Sequence, residues 1–186
     1  EMNYTKQVWE KVQSKNSLIQ GERSIGSKPN PDQYPAPRWD ASAWGNLSRW
    51  NLQHVSGTSF TVSHNTHKTY CFTESRQPPI THCRMRTLLL ASGTMIIDPG
   101  VGEIRFYFDD PFASFEITNG NHIDIRGAFG QVAFFGYQTN TGLCSPQKFA
   151  FSGAGSVGPM FLHLPCALVD LAPGTQVIGT AIVDKW

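Results

Sequence analysis

Past Trp50 the chain reads as one short strand after another, and that repetition is what most limits the fold open to it. The runs TSFTVS (58–63), KTYCFT (68–73), MRTLLLAS (85–92), TMII (94–97), GEIRFYF (102–108) and SFEIT (114–118) are followed by HIDIRG (122–127), QVAFFGY (131–137), KFAFSG (148–153), MFLHL (160–164) and TQVIGTAIV (175–183). They are rich in β-branched and aromatic residues, and many alternate apolar with polar. Turn chemistry separates them: Asp98-Pro99-Gly100, Asp110-Pro111, Asn119-Gly120-Asn121, Asn140-Thr141-Gly142 and Ala172-Pro173-Gly174. With no helical period between runs spaced about a dozen residues apart, the pattern predicts an all-β fold of antiparallel strands. Two packed sheets, a jelly-roll-like β-sandwich, are expected. Phe106, Phe108, Phe115, Ile117, Ile123, Ile125, Phe134, Phe149, Phe151 and Val177 are expected to face inward.

The first fifty residues are organised differently. Tyr4, Val8 and Val12 recur at helical spacing behind a candidate N-cap, Thr5, which predicts one short helix over 4–19. From Gly21 to Trp50, Pro29, Pro31, Pro35 and Pro37 remove backbone donors and fix extended geometry, so this stretch reads as an arm outside any regular sheet. Trp39, Trp44 and Trp50 are too apolar to stand in water, so the arm must lie on something. The chain therefore divides into a helix and extended arm over 1–50 and a β-sandwich domain over 51–186.

A chain of 186 residues with 40% hydrophobic content can bury one substantial core. Only 16% of its residues are charged, below the roughly 25% of an average soluble protein, which fits either a surface covered by Ser, Thr, Asn and Gln or one partly hidden against partners. Up to Arg86 there are eleven Lys/Arg against six Asp/Glu; from Thr87 on there are four against eight. The basic residues are scattered, so nucleic-acid binding is not favoured. No stretch approaches the ~20 apolar residues of a membrane span, and an N-terminal Glu reads as the result of processing or trimming. The cysteines allow two local pairings, Cys71 with Cys83 and Cys144 with Cys166. Together with sequons at Asn3 and Asn46, these fit an extracellular or virion-surface setting.

Candidate sites compete with structural readings. His64 and His67, with Cys71, His82 and Cys83 downstream, could supply metal ligands, but an i, i+3 pair on a strand points to opposite faces and the spacing matches no standard zinc site. A near match to a nucleophile elbow at Ser156 lacks the helix that must follow it and any later histidine in the right order. Glu103, Asp109, Asp110, Glu116 and Asp124 read first as the polar side of strands, although two of them could act as an acid–base pair. No catalytic residue, metal or cofactor is therefore assigned. The expectation is a non-enzymatic structural subunit of capsid, spike or decoration type that forms a homo-oligomer or packs on a larger particle. The alternative is an extracellular lectin-like module for a glycan or cell-surface receptor, using Trp39, Trp44, Tyr107, Asn119, Asn121, Asp124 and Tyr137. A hydrolase on a β scaffold is the third reading.

Overall fold

The structure is a computed structural model that describes residues 13–14, 17–20, 36–118, 121–138, 147–152 and 156–185. In chain order its elements are β1 (Gln13–Ser14), β2 (Ser17–Gln20), the single-turn α1 (Ala41–Trp44), β3 (Trp50–His54), β4 (Ser59–Ser63), β5 (Cys71–Thr73) and β6 (Ile80–Leu90). There follow β7 (Thr94–Asp98), β8 (Glu103–Phe108), β9 (Ser114–Ile117), β10 (His122–Ile125), β11 (Val132–Phe135), β12 (Gln147–Phe151), β13 (Ser156–Leu171) and β14 (Gln176–Lys185).

The strands lie where the β-type runs put them, but the expected antiparallel sandwich is not what they build. Strands β6, β8, β11, β13, β12 and β9 close into a ring in which every neighbour is parallel, with the remaining strands added to it. Among the described residues only β1–β2 and β5–β6 pair antiparallel. Register shows how the ring arises. Strand β6 pairs with β8 through Ile80–Met85 and with β9 through Thr87–Leu90, so one strand runs along two sides of the molecule. Strand β13 does the same with β11 and β12, while β14 follows its opposite edge. The chain thus winds in successive coils, each laid parallel on the one before, as a β-solenoid.

Three faces result. The first stacks β6, β8, β11, β13 and β14; the second stacks β3, the end of β6, β9, β12 and the end of β13; the third stacks β4, β7 and β10, then touches β13 at Gly158. Between parallel strands a described turn such as Asp98-Pro99-Gly100 is a corner, where antiparallel strands would need a reversal. At Asp98–Gly102 the Asp98 carboxylate accepts from Gly100 N at 3.1 Å and Pro99 O accepts from Gly102 N at 2.9 Å, bending the chain from the third face to the first.

The same periodicity that fits a sandwich fits this coil, because both need alternate side chains on one side of each strand. All ten residues expected to face inward are buried. They form columns along the axis: Cys83, Phe106, Phe134 and Leu162 on the first face, and Leu52, Leu88, Phe115, Phe149 and Val169 on the second. Like rings lie on like rings, Phe106 on Phe134 at 4.9 Å and Phe115 on Phe149 at 5.6 Å.

The expected N-terminal helix is also corrected where the structure describes it. Gln13–Ser14 and Ser17–Gln20 are strands, and Leu18, Ile19 and Gln20 pair in parallel with Gln176, Val177 and Ile178 of β14. Tertiary pairing has overridden a weak local preference. Tyr4, Thr5, Val8 and Val12 lie outside the described residues. No described helix is long and apolar enough to cross a membrane.

Candidate functional site

On a half-exposed strand the outward positions should be polar, yet β8 ends Phe106-Tyr107-Phe108, all buried, and every residue of β11 is buried. The arm is the reason. Residues 36–49 lie across the first face and cover outward columns that run Phe72, His82, Arg105, Ala133, Phe161 and Arg84, Tyr107, Phe135, His163. Trp39, Tyr107, Ala133 and Phe135 form a second apolar cluster there, with Trp44, Leu47, Phe72 and Phe161 packed against it.

Local chemistry fixes the arm's shape. Asp40 caps α1, accepting from the Ser42 hydroxyl at 2.5 Å, Ser42 N at 2.9 Å and Ala43 N at 3.2 Å, and these bonds, the hydroxyl's above all, hold its carboxyl below the ordinary range. Trp39 Nε1 donates to Gly45 O at 3.0 Å, closing the turn on itself. Trp44 then lies flat on His82, 3.9 Å between ring centres and 19° between planes, and leans on Tyr107 at 5.1 Å.

Beneath the tryptophan is a buried polar relay. His82 Nε2 lies 2.9 Å from Glu74 Oε1 and Nδ1 lies 3.0 Å from the Tyr107 hydroxyl. With neutral His82, Nε2–H donates to the carboxylate and Nδ1 accepts from the phenol. Burial pushes the Tyr107 phenol up to about 12, so it stays a donor through the neutral range. Burial likewise lowers His82, against the opposing pull of Glu74; Arg105 adds to the lowering and Glu103 opposes it. Arg105 is itself engaged by Glu103 at 2.6 Å.

The order carboxylate, imidazole, hydroxyl is that of a base-activated nucleophile. Here Tyr107 is 2% exposed and Trp44 covers the imidazole, so no substrate reaches either group in this arrangement. What the relay does is satisfy every polar atom of a buried patch and give the arm a flat surface to rest on.

Because His82 is depressed below its unfolded value near 6.5, the unfolded chain binds a proton first as pH falls. The stability that His82 contributes as the neutral base is therefore full above about pH 6.5 and lost progressively below it. Urea midpoints at pH 7.5, 6.5 and 5.5 are expected to fall in that order, and H82Q is expected to flatten the part of the slope due to this residue.

Arg84 ties the arm to the solenoid. Its guanidinium engages Asp109 through Nε and Nη2, both at 2.7 Å, and Nη1 donates to Leu47 O at 2.7 Å and Asn46 Oδ1 at 3.0 Å. Arg49 reaches Asp109 as well. R84A leaves two acceptors of the arm unmatched and Asp109 short of its main partner, and is expected to cost about 2 kcal/mol. Faster proteolysis within 36–49 than in the parent checks that the loss falls on the arm.

The other anticipated residues are spread over the molecule. Of the proposed binding set, Trp39, Trp44 and Tyr107 come together in the arm's seat, turned inward. Tyr137 stands beside them at a crevice of about 10 Å³, lined also by Pro37, Arg38, Asp109 and Phe135, which is the size of one water. Asn121 is buried and donates to Thr118 O and Oγ1 at a corner, and Asp124 lies on β10 paired with Arg126 at 3.1 Å. Asn119 lies outside the described residues.

His64 and His67 serve different neighbours. His64 lies 2.7 Å from both Thr81 Oγ1 and Pro99 O, joining the first coil to the second. His67 packs on Trp50 at 4.5 Å and Phe60 at 5.0 Å. Among the described residues no group of three or more His, Cys, Asp or Glu is placed to hold a metal. Cys71 and Cys83 are directly opposite in the β5–β6 register and are disulfide-bonded. Cys166 is also disulfide-bonded, and Cys144 lies outside the described residues.

Sequence reasoning missed Glu74 and Arg105 as parts of one constellation with His82 and Tyr107. The available signal was that Arg105 and Tyr107 share the outward parity of one strand and His82 that of the strand paired to it.

The fold and this seat place the protein architecturally among parallel β-solenoids. No protein-family model matches the chain, and neither a curated protein nor a solved structure matches it.

Proposed function

We propose that this protein is a structural subunit that works by self-association, in an oxidising, extracellular or particle-surface setting. The observation that carries the reading is the weakly charged sheet edge that the solenoid presents, among the described residues, at its ends. At the first coil the backbone groups of β4 and its approach are taken up by side chains: Thr58 O by His54, Thr61 O by His67, and both Ser63 N and Ser63 O by Thr66 Oγ1. Trp50 and Tyr70 stack there at 5.3 Å, 4° apart, over the end of the core. The side-chain bonds guard β4, whereas the outer edge of β3 pairs with no strand among the described residues.

The last coil also leaves an edge unpaired among the described residues. β2 covers Gln176, Val177 and Ile178 of β14, and among the described residues no strand pairs with that edge from Gly179 onward. Ala181 and Val183 pack against the core but are only partly buried. Exposed sheet edges are normally guarded by charge, proline or a bulge, and Gln176–Val183 contains neither a charged residue nor a proline. The low charged fraction and the disulfide support the same reading.

Native mass spectrometry of the full chain near neutral pH tests it. A defined oligomer is expected. A species that stays monomeric up to high micromolar concentration, above all one retained on a glycan support, would overturn the proposal in favour of a binding module.

A further inference from the structure

We propose that Asn46 is an N-glycosylation site and that its glycan stands outward from the arm, over the first face of the solenoid. This rests on the reading of an oxidising, extracellular setting and names a modification made on the way to it.

Asn46-Leu47-Ser48 has the acceptor form Asn-x-Ser, with x other than proline. A tripeptide of this kind becomes a site when it lies on the surface of an exported chain, so the decision falls to how the fold presents it. Three features of the presentation agree. First, the motif lies between α1 and β3, outside any strand, and its side chains alternate. Leu47 is partly buried and packs on the cluster of Trp39, Tyr107, Ala133 and Phe135, while Asn46 and Ser48 on either side of it are exposed. The apolar middle residue anchors the motif and leaves both acceptor positions in solvent. Second, the Asn46 carboxamide is held by its oxygen: Oδ1 accepts from Arg84 Nη1 at 3.0 Å. A guanidinium only donates, so the oxygen must face Arg84 and Nδ2 is the end left to carry a substituent. An N-linked amide keeps its carbonyl, so the Arg84 bond survives the modification. Third, there is room. Gly45 has φ at +81°, and a Cβ built on it would meet nothing within 4 Å, so the turn beside Asn46 borders open space.

The redox requirement is met in the same chain. Cys71 and Cys83 are bridged and Cys166 is disulfide-bonded, as in chains that mature in an oxidising secretory lumen. The other acceptor tripeptide begins at Asn3, outside the described residues.

The co-reactant is a lipid-pyrophosphate-linked oligosaccharide together with its transferase. Asn46 Nδ2 bonds to the anomeric carbon of the first sugar, the bond from that carbon to the phosphate oxygen breaks with its electron pair leaving on the lipid pyrophosphate, and one Nδ2 proton passes to a base of the transferase. The product is a bulky hydrophilic group over residues 36–49, which screens the arm from proteases.

The full chain, directed into the secretory pathway of animal cells by a cleavable signal, tests this. Peptide-N-glycosidase is expected to lower the intact mass and to leave Asp in place of Asn46 in the tryptic peptide Trp39–Arg49, in which Asn46 is the only asparagine. S48A is expected to abolish the modification at Asn46 and S48T to keep it. The glycosylated parent is expected to be cut within 36–49 several-fold more slowly than S48A. A secreted, disulfide-bonded chain with Asn46 unmodified overturns the site and leaves the extracellular setting standing. A chain retained in the cell with its cysteines reduced overturns both. A modified Asn46 with equal cutting of the parent and S48A overturns the placement of the glycan over the arm.

Discussion

F115A is expected to destabilise the protein by about 3–5 kcal/mol, the range for deleting a fully buried aromatic ring. Phe115 is 1% exposed and its ring meets four others: Phe149 stacked at 5.6 Å, Phe151 at 5.0 Å, Phe134 edge-on at 5.5 Å and Phe108 edge-on at 6.0 Å. It sits midway along a column whose members come from five different coils, so neighbours on either side cannot close over the void without breaking register with their own strands. Urea unfolding followed by tryptophan fluorescence measures the loss. F115L, which keeps most of the volume, is expected to recover more than half of it.

The double substitution C71A/C83A is expected to cost about 3 kcal/mol, the chain-entropy value for a closed loop of this size. The two residues are 12 apart in sequence, and both are buried, Cys83 completely. The bridge holds β5 against β6, an antiparallel pair on the first face, and β5 contributes Phe72 to the rim of the arm's seat. Loss of the bridge is therefore expected to reach the arm, and the fluorescence of Trp44 should change before the global transition. Matching denaturation curves for the oxidised parent and the double variant would refute the assignment.

These two sites show what was legible in the sequence. Alternation in GEIRFYF and SFEIT identified Phe106, Phe108, Phe115 and Ile117 as inward residues, because a strand's two-residue period does not depend on which strand lies beside it. Direction does depend on it, and a run of strands parted by Asp-Pro-Gly and Asn-Gly fits a reversal as well as a corner. The overlooked signal was a longer period. Phe106-Tyr107 recurs as Phe134-Phe135 twenty-eight positions on, Met95-x-Ile97 recurs as Ile123-x-Ile125 at the same interval, and Phe115-x-Ile117 recurs as Phe149-x-Phe151. Recurrence of this kind marks stacked coils.

The arm was half legible. Three tryptophans in a proline-rich stretch required a surface to lie on, and Trp39 and Trp44 do lie on one, within the same chain. The β5–β6 pair brings Glu74 to His82 locally, but Tyr107 joins them only through the pairing of β6 with β8, which no local pattern gives. The strand at Ser17–Gln20 was illegible for the same reason: its partner, β14, is more than 150 residues away.

The arm's placement also bears on how the molecule comes apart. A stack in which each layer touches only the layers beside it tends to fray one layer at a time. Trp44 rests on His82 of β6, Trp39 on Tyr107 of β8, and the shared cluster reaches Phe135 of β11 and Phe161 of β13. A single strip nailed across four planks turns them into a panel, and prying up any one of them first means lifting the strip.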